Sequence, residues 1–137
     1  MTPPQVLDTG DTAQPSNEPP AVSHFVPLET LRHRPDFLRA ASARRQGTGS
    51  FLLQARARDD DQPTARIGFT ASKKIGNAVL RNRAKRRMRA AAQAVLAQQA
   101  RPGWDYVLVA RPQATVSRPF ADLLADLAVA LAAVHRK

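Results

Sequence analysis

The part of the sequence best suited to chemistry is residues 72–89, SKKIGNAVLRNRAKRRMR, which is rich in positive charge and contains no acidic residue. Eight of its side chains are cationic: Lys73, Lys74, Arg81, Arg83, Lys85, Arg86, Arg87 and Arg89. Guanidinium groups bind phosphate oxygens in pairs and also stack on exposed bases. A helix face that is merely solvated usually mixes both signs of charge. The segment therefore predicts a surface that binds a nucleic acid.

The residue types around these cations predict a helix with one buried edge. Asn77 is a residue type that caps helices, here one that opens at Ala78, and Gly76 allows a sharp backbone turn just before it. Asn82 adds an amide that can both donate and accept hydrogen bonds. An apolar stripe at three- and four-residue spacing runs along the helix: Ala84, Met88, Ala91, Ala92 and Val95. The stripe should pack on a sheet, which leaves the rest of the helix as a broad cationic face.

Apolar patterns elsewhere predict the elements that must position this helix. The predicted elements are a helix over 35–45, strands over 51–58, 66–72 and 104–110, and a turn at 59–63. The basic helix should end before Pro102. A last helix with a leucine-rich face should follow, with Ser117 as its cap and Pro119 in its first turn. This order of elements predicts an α+β domain with a small sheet.

Length and composition bound the rest of the chain. Its 137 residues fit a single domain, which we place at 25–137 after a disordered, proline-rich tail at 1–24. The absence of cysteine excludes a disulfide framework, a thiolate zinc site and a cysteine nucleophile. No apolar run is long enough to span a membrane. All 21 Lys and Arg follow residue 24, and the formal net charge of +10 favours a polyanionic partner.

Few side chains could make the protein a nuclease by itself. A metal-dependent nuclease needs clustered carboxylates, and the DDD run at 59–61 is better interpreted as a solvated turn. The three histidines, His24, His33 and His135, lie in separate segments, and we expect them to be exposed and unpaired. The sequence thus predicts neither a catalytic residue nor a metal site in the protein.

The 18-residue string at 72–89 closely resembles the signature of the bacterial ribonuclease P protein family. The resemblance rests on the RNR triplet at 81–83, on SKK at 72–74 and on GNAV at 76–79, and the order of elements over 25–137 agrees with it. It implies a four-stranded sheet packed with three helices, and a left-handed β-α-β crossover through the basic helix. The same α+β fold is expected in a domain of a small-subunit ribosomal protein.

The resemblance also implies a function. The family's proteins act with a large catalytic RNA, and together they remove the 5′ leader of precursor tRNA by endonucleolytic cleavage, which generates the mature 5′ end. The RNA is expected to hold most of the Mg²⁺ that activates water, so the protein alone should bind no cofactor. We expect a cytoplasmic protein whose partners are the catalytic RNA and precursor tRNA, with no obligate protein partner and no membrane association.

By resemblance, polar and basic residues of the signature lie at or near the catalytic RNA. The residues expected to bind RNA are Ser72, Lys73, Lys74, Asn77, Arg81, Asn82, Arg83, Lys85, Arg86, Arg87 and Arg89. A cleft between the first helix and the sheet is expected to hold the leader as an extended single strand. The residues expected to line it are Phe37, Leu52, Gln54 and Arg56. Phe37 suits stacking on a base and suits the core equally well, and the sequence leaves both interpretations open.

The sequence departs from the family at two positions of this cleft. Ala41 stands where a second helix aromatic is expected, and Gln54 stands where a strand tyrosine is expected. Stacking on the leader should therefore be weaker, and contacts with its phosphates should matter more.

Two other functions remain open at this point. A purely structural RNA-binding protein of the ribosomal type is also small and basic, and it would not affect leader removal. A DNA-binding helix, as in helix-turn-helix proteins, needs a second helix packed just before it, where this sequence predicts a strand.

Overall fold

The computed structural model describes residues 26–136, so the tail predicted at 1–24 lies outside the described residues. The strands in this part of the chain are β1 (Leu28–Thr30), β2 (Arg44–Gly47), β3 (Phe51–Ala57), β4 (Ala65–Thr70) and β5 (Trp104–Ala110). The α-helices are α1 (Arg34–Ala41), α2 (Ala78–Gln99), α3 (Ala114–Ser117) and α4 (Phe120–Arg136). A 3-10 turn over Lys73–Ile75 precedes α2.

The strands form one mixed sheet in the order β1-β4-β5-β3-β2. β4 is parallel to both of its neighbours, whereas β3 is antiparallel to β5 and β2. The α+β class is therefore confirmed, and α2 forms the expected β-α-β connection between the parallel neighbours β4 and β5. The sheet has five strands among the described residues instead of four. The two edge strands, β1 and β2, are only three and four residues long. Segments this short are defined by pairing with a neighbouring strand and carry no sequence pattern of their own.

Several predicted boundaries are wrong. The strand predicted at 66–72 spans Ala65–Thr70, and the strand predicted at 51–58 ends at Ala57. The first helix ends at Ala41 instead of residue 45, because Arg44–Gly47 pairs with β3 as an edge strand. Ser117 does not cap the last helix: it ends α3, and its hydroxyl donates to the Gln113 carbonyl at 2.6 Å. The predicted bounds of β5 are confirmed, and α2 begins at Ala78 as predicted.

Alternation along the strands gives the sheet two different faces. Phe51 and Tyr106 point to the face that packs against α2 and α4, where the main core lies. Val107, the next residue of β5, points to the opposite face and packs against Ala40 of α1. The cationic helix and α1 therefore cover opposite faces of the same sheet.

A buried carboxylate at the start of β5 ties the three inner strands together. Asp105 is fully buried, and it pairs in register with Arg56 of β3 and Arg66 of β4. Arg66 binds both carboxylate oxygens, with Nε 2.8 Å from Oδ1 and Nη2 2.7 Å from Oδ2. Arg58 donates to Oδ1 at 2.9 Å, and Arg56 donates to Oδ2 at 3.4 Å. Hydrogen bonding to Asp105 raises the pKa of Arg66, so this pairing favours the charged guanidinium.

The same network reaches α1. Arg66 lies 3.4 Å from the Asp36 carboxylate, which also accepts from Arg39 at 2.9 Å. Because Asp36 is in the first turn of α1, this contact fixes that helix on the sheet.

The end of α4 is held by a hydrogen-bonded aromatic cluster. The Tyr106 hydroxyl accepts from the Arg101 backbone N–H at 2.9 Å and lies 2.8 Å from Nε2 of His135. The His135 ring also meets Trp104 edge-on, with the ring centroids 4.5 Å apart. Burial, together with the positive charges of Arg101 and Arg44, lowers the pKa of His135 to about 4. The expectation that His135 is exposed and unpaired is therefore wrong, because this side chain belongs to a long-range contact.

We expect Asp105→Asn to lower the free energy of unfolding by about 3–5 kcal/mol, because it leaves three arginines around a buried neutral group. Urea unfolding measures the loss. Asp60→Asn is the control, since Asp60 is exposed and its ion pair with Arg58 is screened by solvent, and it should cost much less than Asp105→Asn. Equal small losses for the two variants would contradict this role for Asp105.

Acidification should destabilise the protein through His135. Between pH 6.5 and about 4 the unfolded chain binds a proton at this histidine and the folded protein does not, so stability falls as the pH falls. His135→Gln, which can still form a hydrogen bond with Tyr106, should make the free energy of unfolding depend less on pH between 7.5 and 5.0. His33→Gln is the control at an exposed histidine and should keep the wild-type dependence. Identical pH profiles for the wild type and His135→Gln would refute the assignment.

Candidate nucleic-acid interface

The start of α2 is fixed by side chains of the predicted signature. The Ser72 hydroxyl accepts from the Lys74 N–H at 3.3 Å, and the Asn77 side chain accepts from the Leu80 N–H at 3.0 Å. Asn77 is thus the predicted N-cap. Between them Gly76 has a φ of 137°, and a Cβ there would lie 2.6 Å from Cδ1 of Leu80. The turn therefore depends on glycine, and it leaves Lys73 and Lys74 exposed in front of the helix.

The buried edge of α2 is the predicted apolar stripe. All five predicted positions, from Ala84 to Val95, are buried, together with Leu96. All of them except Ala84 belong to the main core, where they pack against β3, β4, β5 and α4. This packing turns the opposite side of α2 to solvent.

Two of the predicted RNA-binding arginines are engaged within the protein. Arg87 donates to the carbonyls of Thr115 and Arg118, and Arg83 donates to the carbonyl of Val116 at 3.1 Å. These carbonyls belong to α3 and its end, where the helix leaves them without a partner. Burial, with the nearby charge of Arg83, lowers the pKa of Arg87. This edge of α2 therefore anchors α3.

The remaining cations of the signature point away from α3. No hydrogen bond or ion pair to another described residue engages the side chains of Lys73, Lys74, Arg81, Lys85 and Arg86. Arg89 is exposed, and its guanidinium carbon lies 5.3 Å from the centroid of the Phe69 ring. The Asn82 amide is exposed as well. These side chains, which we call the cationic face, have their donors available for an external anion.

Phe37 lies half-buried between the core and a cleft. Its ring covers Gly68, where an added Cβ would come within 2.4 Å of it. The ring also lines an open cleft of about 300 Å³ together with Arg32, Arg34 and Thr70. One side of the ring therefore packs on the sheet and the other side is accessible, and stacking on a base stays a prediction. The sequence reasoning missed Arg32 and Arg34, although the string LRHRPDF shows that they precede Phe37 closely.

The other three predicted leader-binding residues do not form one continuous wall. Gln54 is only 8% exposed and lies on the sheet face that α1 covers. Arg56 is turned towards Asp105, and Leu52 remains half-exposed. Leu52 and Arg56 are about 13 Å apart along the strand, on either side of Gln54. Of these three residues, Leu52 is the one with accessible apolar surface. It lies at the same end of the sheet as Thr70, which lines the Phe37 cleft.

Residues 26–136 hold no cluster of three or more side chains suited to a metal ion, and none of their helices is long and apolar enough to cross a membrane. The acidic run at 59–61 is exposed, and the Asp60 carboxylate accepts from Arg58 at 2.8 Å. The run is therefore the predicted turn.

The sequence matches the family model described as Ribonuclease P over residues 25–135. The ribonuclease P protein component of Ruegeria pomeroyi is 58% identical over 120 residues, which cover 85% of this chain and 96% of the relative. The ribonuclease P protein component of Caulobacter vibrioides is 55% identical over 108 residues, which cover 79% of this chain and 72% of the relative.

Solved structures with similar folds carry the same name. The RNase P protein from Thermotoga maritima is 25% identical, with a TM-score of 0.62, and the match covers 80% of this chain and 97% of that chain. The RNase P protein of Staphylococcus aureus is 24% identical, with a TM-score of 0.62 and coverage of 76% and 93%. At this low identity the second match supports the fold alone.

Arg87→Ala should lower the free energy of unfolding by about 2–3 kcal/mol, because it removes charged hydrogen bonds to carbonyls at the end of α3. Arg86→Ala, at the adjacent exposed position, should change it by less than about 0.5 kcal/mol. Urea unfolding of both variants measures the difference. If the two variants are equally stable, Arg87 does not anchor α3.

Proposed function

The chain belongs to the ribonuclease P protein family, and from this we propose that it is the protein subunit of the ribonuclease P ribonucleoprotein. In this role it binds the catalytic RNA and the 5′ leader of precursor tRNA, and it promotes the endonucleolytic cut that generates the mature tRNA 5′ end. We place this activity in the cytoplasm. The observation that carries the proposal is the cationic face, whose side chains lie on α2 and the turn before it and form no ion pair with other described residues.

The electrostatics of the molecule support binding of a large anion. Among the described ion pairs, the acidic partners are Asp36, Asp60, Asp105, Asp122 and Asp126, and each pairs with an arginine outside α2. The cationic face therefore keeps its charge. Several like charges along one helix repel one another, and RNA phosphates relieve that repulsion on binding.

The proposed division of labour gives the bond-breaking step to the RNA. Mg²⁺ held mainly by the RNA activates the water that attacks the phosphodiester bond. The protein contributes charge and shape. Its ion-paired carboxylates already bind arginines, so they are not available to hold a metal ion.

The leader-binding part of the proposal is supported by the position of the Phe37 cleft. Thr70, the last residue of β4, lines the cleft, and the signature begins two residues later at Ser72. A strand leaving the cationic face can therefore enter the cleft directly. Phe37 offers it a ring for stacking, and Arg32 and Arg34 offer positive charge for its phosphates.

A helix-turn-helix function is disfavoured by the element that precedes the basic helix. α2 follows β4 and a single 3-10 turn, so no second helix packs in front of it as that motif requires. A structural RNA-binding role remains the alternative, and the following experiment separates the two.

Reconstitution with the organism's own catalytic RNA tests the proposal. The protein should stimulate cleavage of precursor tRNA at modest Mg²⁺ concentration, and the protein without RNA should not cleave. RNA binding without any effect on leader removal would instead support the structural role. Cleavage by protein that is free of contaminating RNA would overturn the division of labour.

Phe37→Leu should weaken binding of the holoenzyme to precursor tRNA by about five-fold or more, because leucine keeps the packing on Gly68 and loses base stacking. Binding to mature tRNA, which has no leader, should change much less. Parallel titrations of both tRNAs measure the ratio, and urea unfolding checks that the variant is folded. Equal weakening for the two tRNAs would assign Phe37 to the core alone.

A further inference from the structure

A second groove lies on the sheet face opposite to the Phe37 cleft. It encloses about 120 Å³ between the edge strand β1 and α2. Its apolar lining residues include Leu28, Ile67 and Phe69, and its polar lining residues are Glu29 and Thr30 of β1 and Arg89 and Gln93 of α2. The side chain of Phe69 and those of its neighbours on β4 point to opposite faces of the sheet. The groove and the Phe37 cleft are therefore lined by different residues of that strand, Phe69 in the groove and Thr70 in the cleft.

The Arg89 guanidinium is presented in an unusual way in this groove. It lies over the Phe69 ring, with 5.3 Å between its central carbon and the ring centroid, and no described carboxylate pairs with it. The three arginines around Asp105, by contrast, are all committed to that carboxylate. Contact with the ring restrains the guanidinium, and the Arg89 side chain stays exposed to solvent. An exposed planar cation is a stacking partner for a nucleobase.

The groove also offers groups that can read the edge of a base. The side chains of Gln93 and Thr30 are exposed and make no hydrogen bond to a described residue. β1 is an edge strand, so one side of its backbone lacks a strand partner in the described sheet. An amide, a hydroxyl and free backbone groups can together satisfy the donors and acceptors of an unpaired base.

The groove continues one edge of the cationic face. Arg81, Lys85 and Arg89 are spaced four residues apart, so they follow one another along α2 in steps of about 5–6 Å. RNA whose phosphates lie along Arg81 and Lys85 reaches the groove at Arg89.

We propose that this groove binds one unpaired nucleobase of the catalytic RNA, stacked on the Arg89 guanidinium above Phe69. Arg89 contacts the base, and Phe69 acts as a positioning residue that holds the guanidinium. The inference deepens the proposed function and rests on it, because it takes the catalytic RNA as the ligand of α2.

The test measures binding of the full chain to its catalytic RNA at several salt concentrations. Arg89→Lys keeps the charge but removes the planar group, so it should weaken binding by about five-fold or more while the salt dependence stays the same. Phe69→Leu should weaken binding to a similar extent. The double variant should bind RNA with about the same affinity as the single variant that binds less tightly, because the two residues act through one stack. Arg86→Lys is the matched comparison on the same helix without an aromatic partner, and it should lose less than Arg89→Lys.

The groove proposal is overturned if Arg89→Lys loses no more affinity than Arg86→Lys, or if the losses at positions 69 and 89 multiply in the double variant. If either result is obtained and the wild-type protein still stimulates leader removal, the groove proposal fails and the proposed function stands. If the wild-type protein does not bind the catalytic RNA, the proposed function fails and the groove proposal fails with it. Urea unfolding of Phe69→Leu shows whether its core packing is kept.

Discussion

The buried carboxylate of Asp105 is the constraint on which the rest of the structure depends. It lies at the start of the central strand, and it can be buried there only because arginines from β3 and β4 surround it. The pairing neutralises charge inside the sheet and ties α1 to it through Asp36. The acidic side chains of these ion pairs bind arginines outside α2, so none of the pairs uses a cation of α2. The donors of the cationic face are therefore available to an external anion.

The same sheet separates two candidate surfaces for a nucleic acid. On the α1 face, Phe37 and its flanking arginines form an open cleft at the end of β4. On the α2 face, the cationic helix and the β1 groove form a second surface. The signature connects them, because its first residues follow β4 directly and its helix then crosses the opposite face. Under the proposed function, this short domain would hold a single strand and a folded RNA at fixed positions relative to each other.

Local patterns in the sequence were enough to predict α2, including its Asn77 cap and its buried stripe from Ala84 to Val95. They also gave the bounds of β5. They could not predict contacts between residues far apart in the sequence. Arg87 looked like every other cation of the segment, and its commitment to α3 depends on carbonyls about 30 residues away. Gln54 and Arg56 share a face with Leu52, as expected, but α1 and Asp105 decide which of them a ligand can reach.

The most direct test of the account is the salt dependence of binding between the full chain and its catalytic RNA. Each phosphate that the cationic face neutralises should contribute roughly −0.7 to −0.9 to the slope of log K against log salt concentration. The account predicts a steep slope for the wild type. Replacing both Arg81 and Arg86 by alanine should reduce its magnitude by about 1.5. A wild-type slope near zero would contradict the account, because the exposed charge of α2 would then have no part in binding RNA.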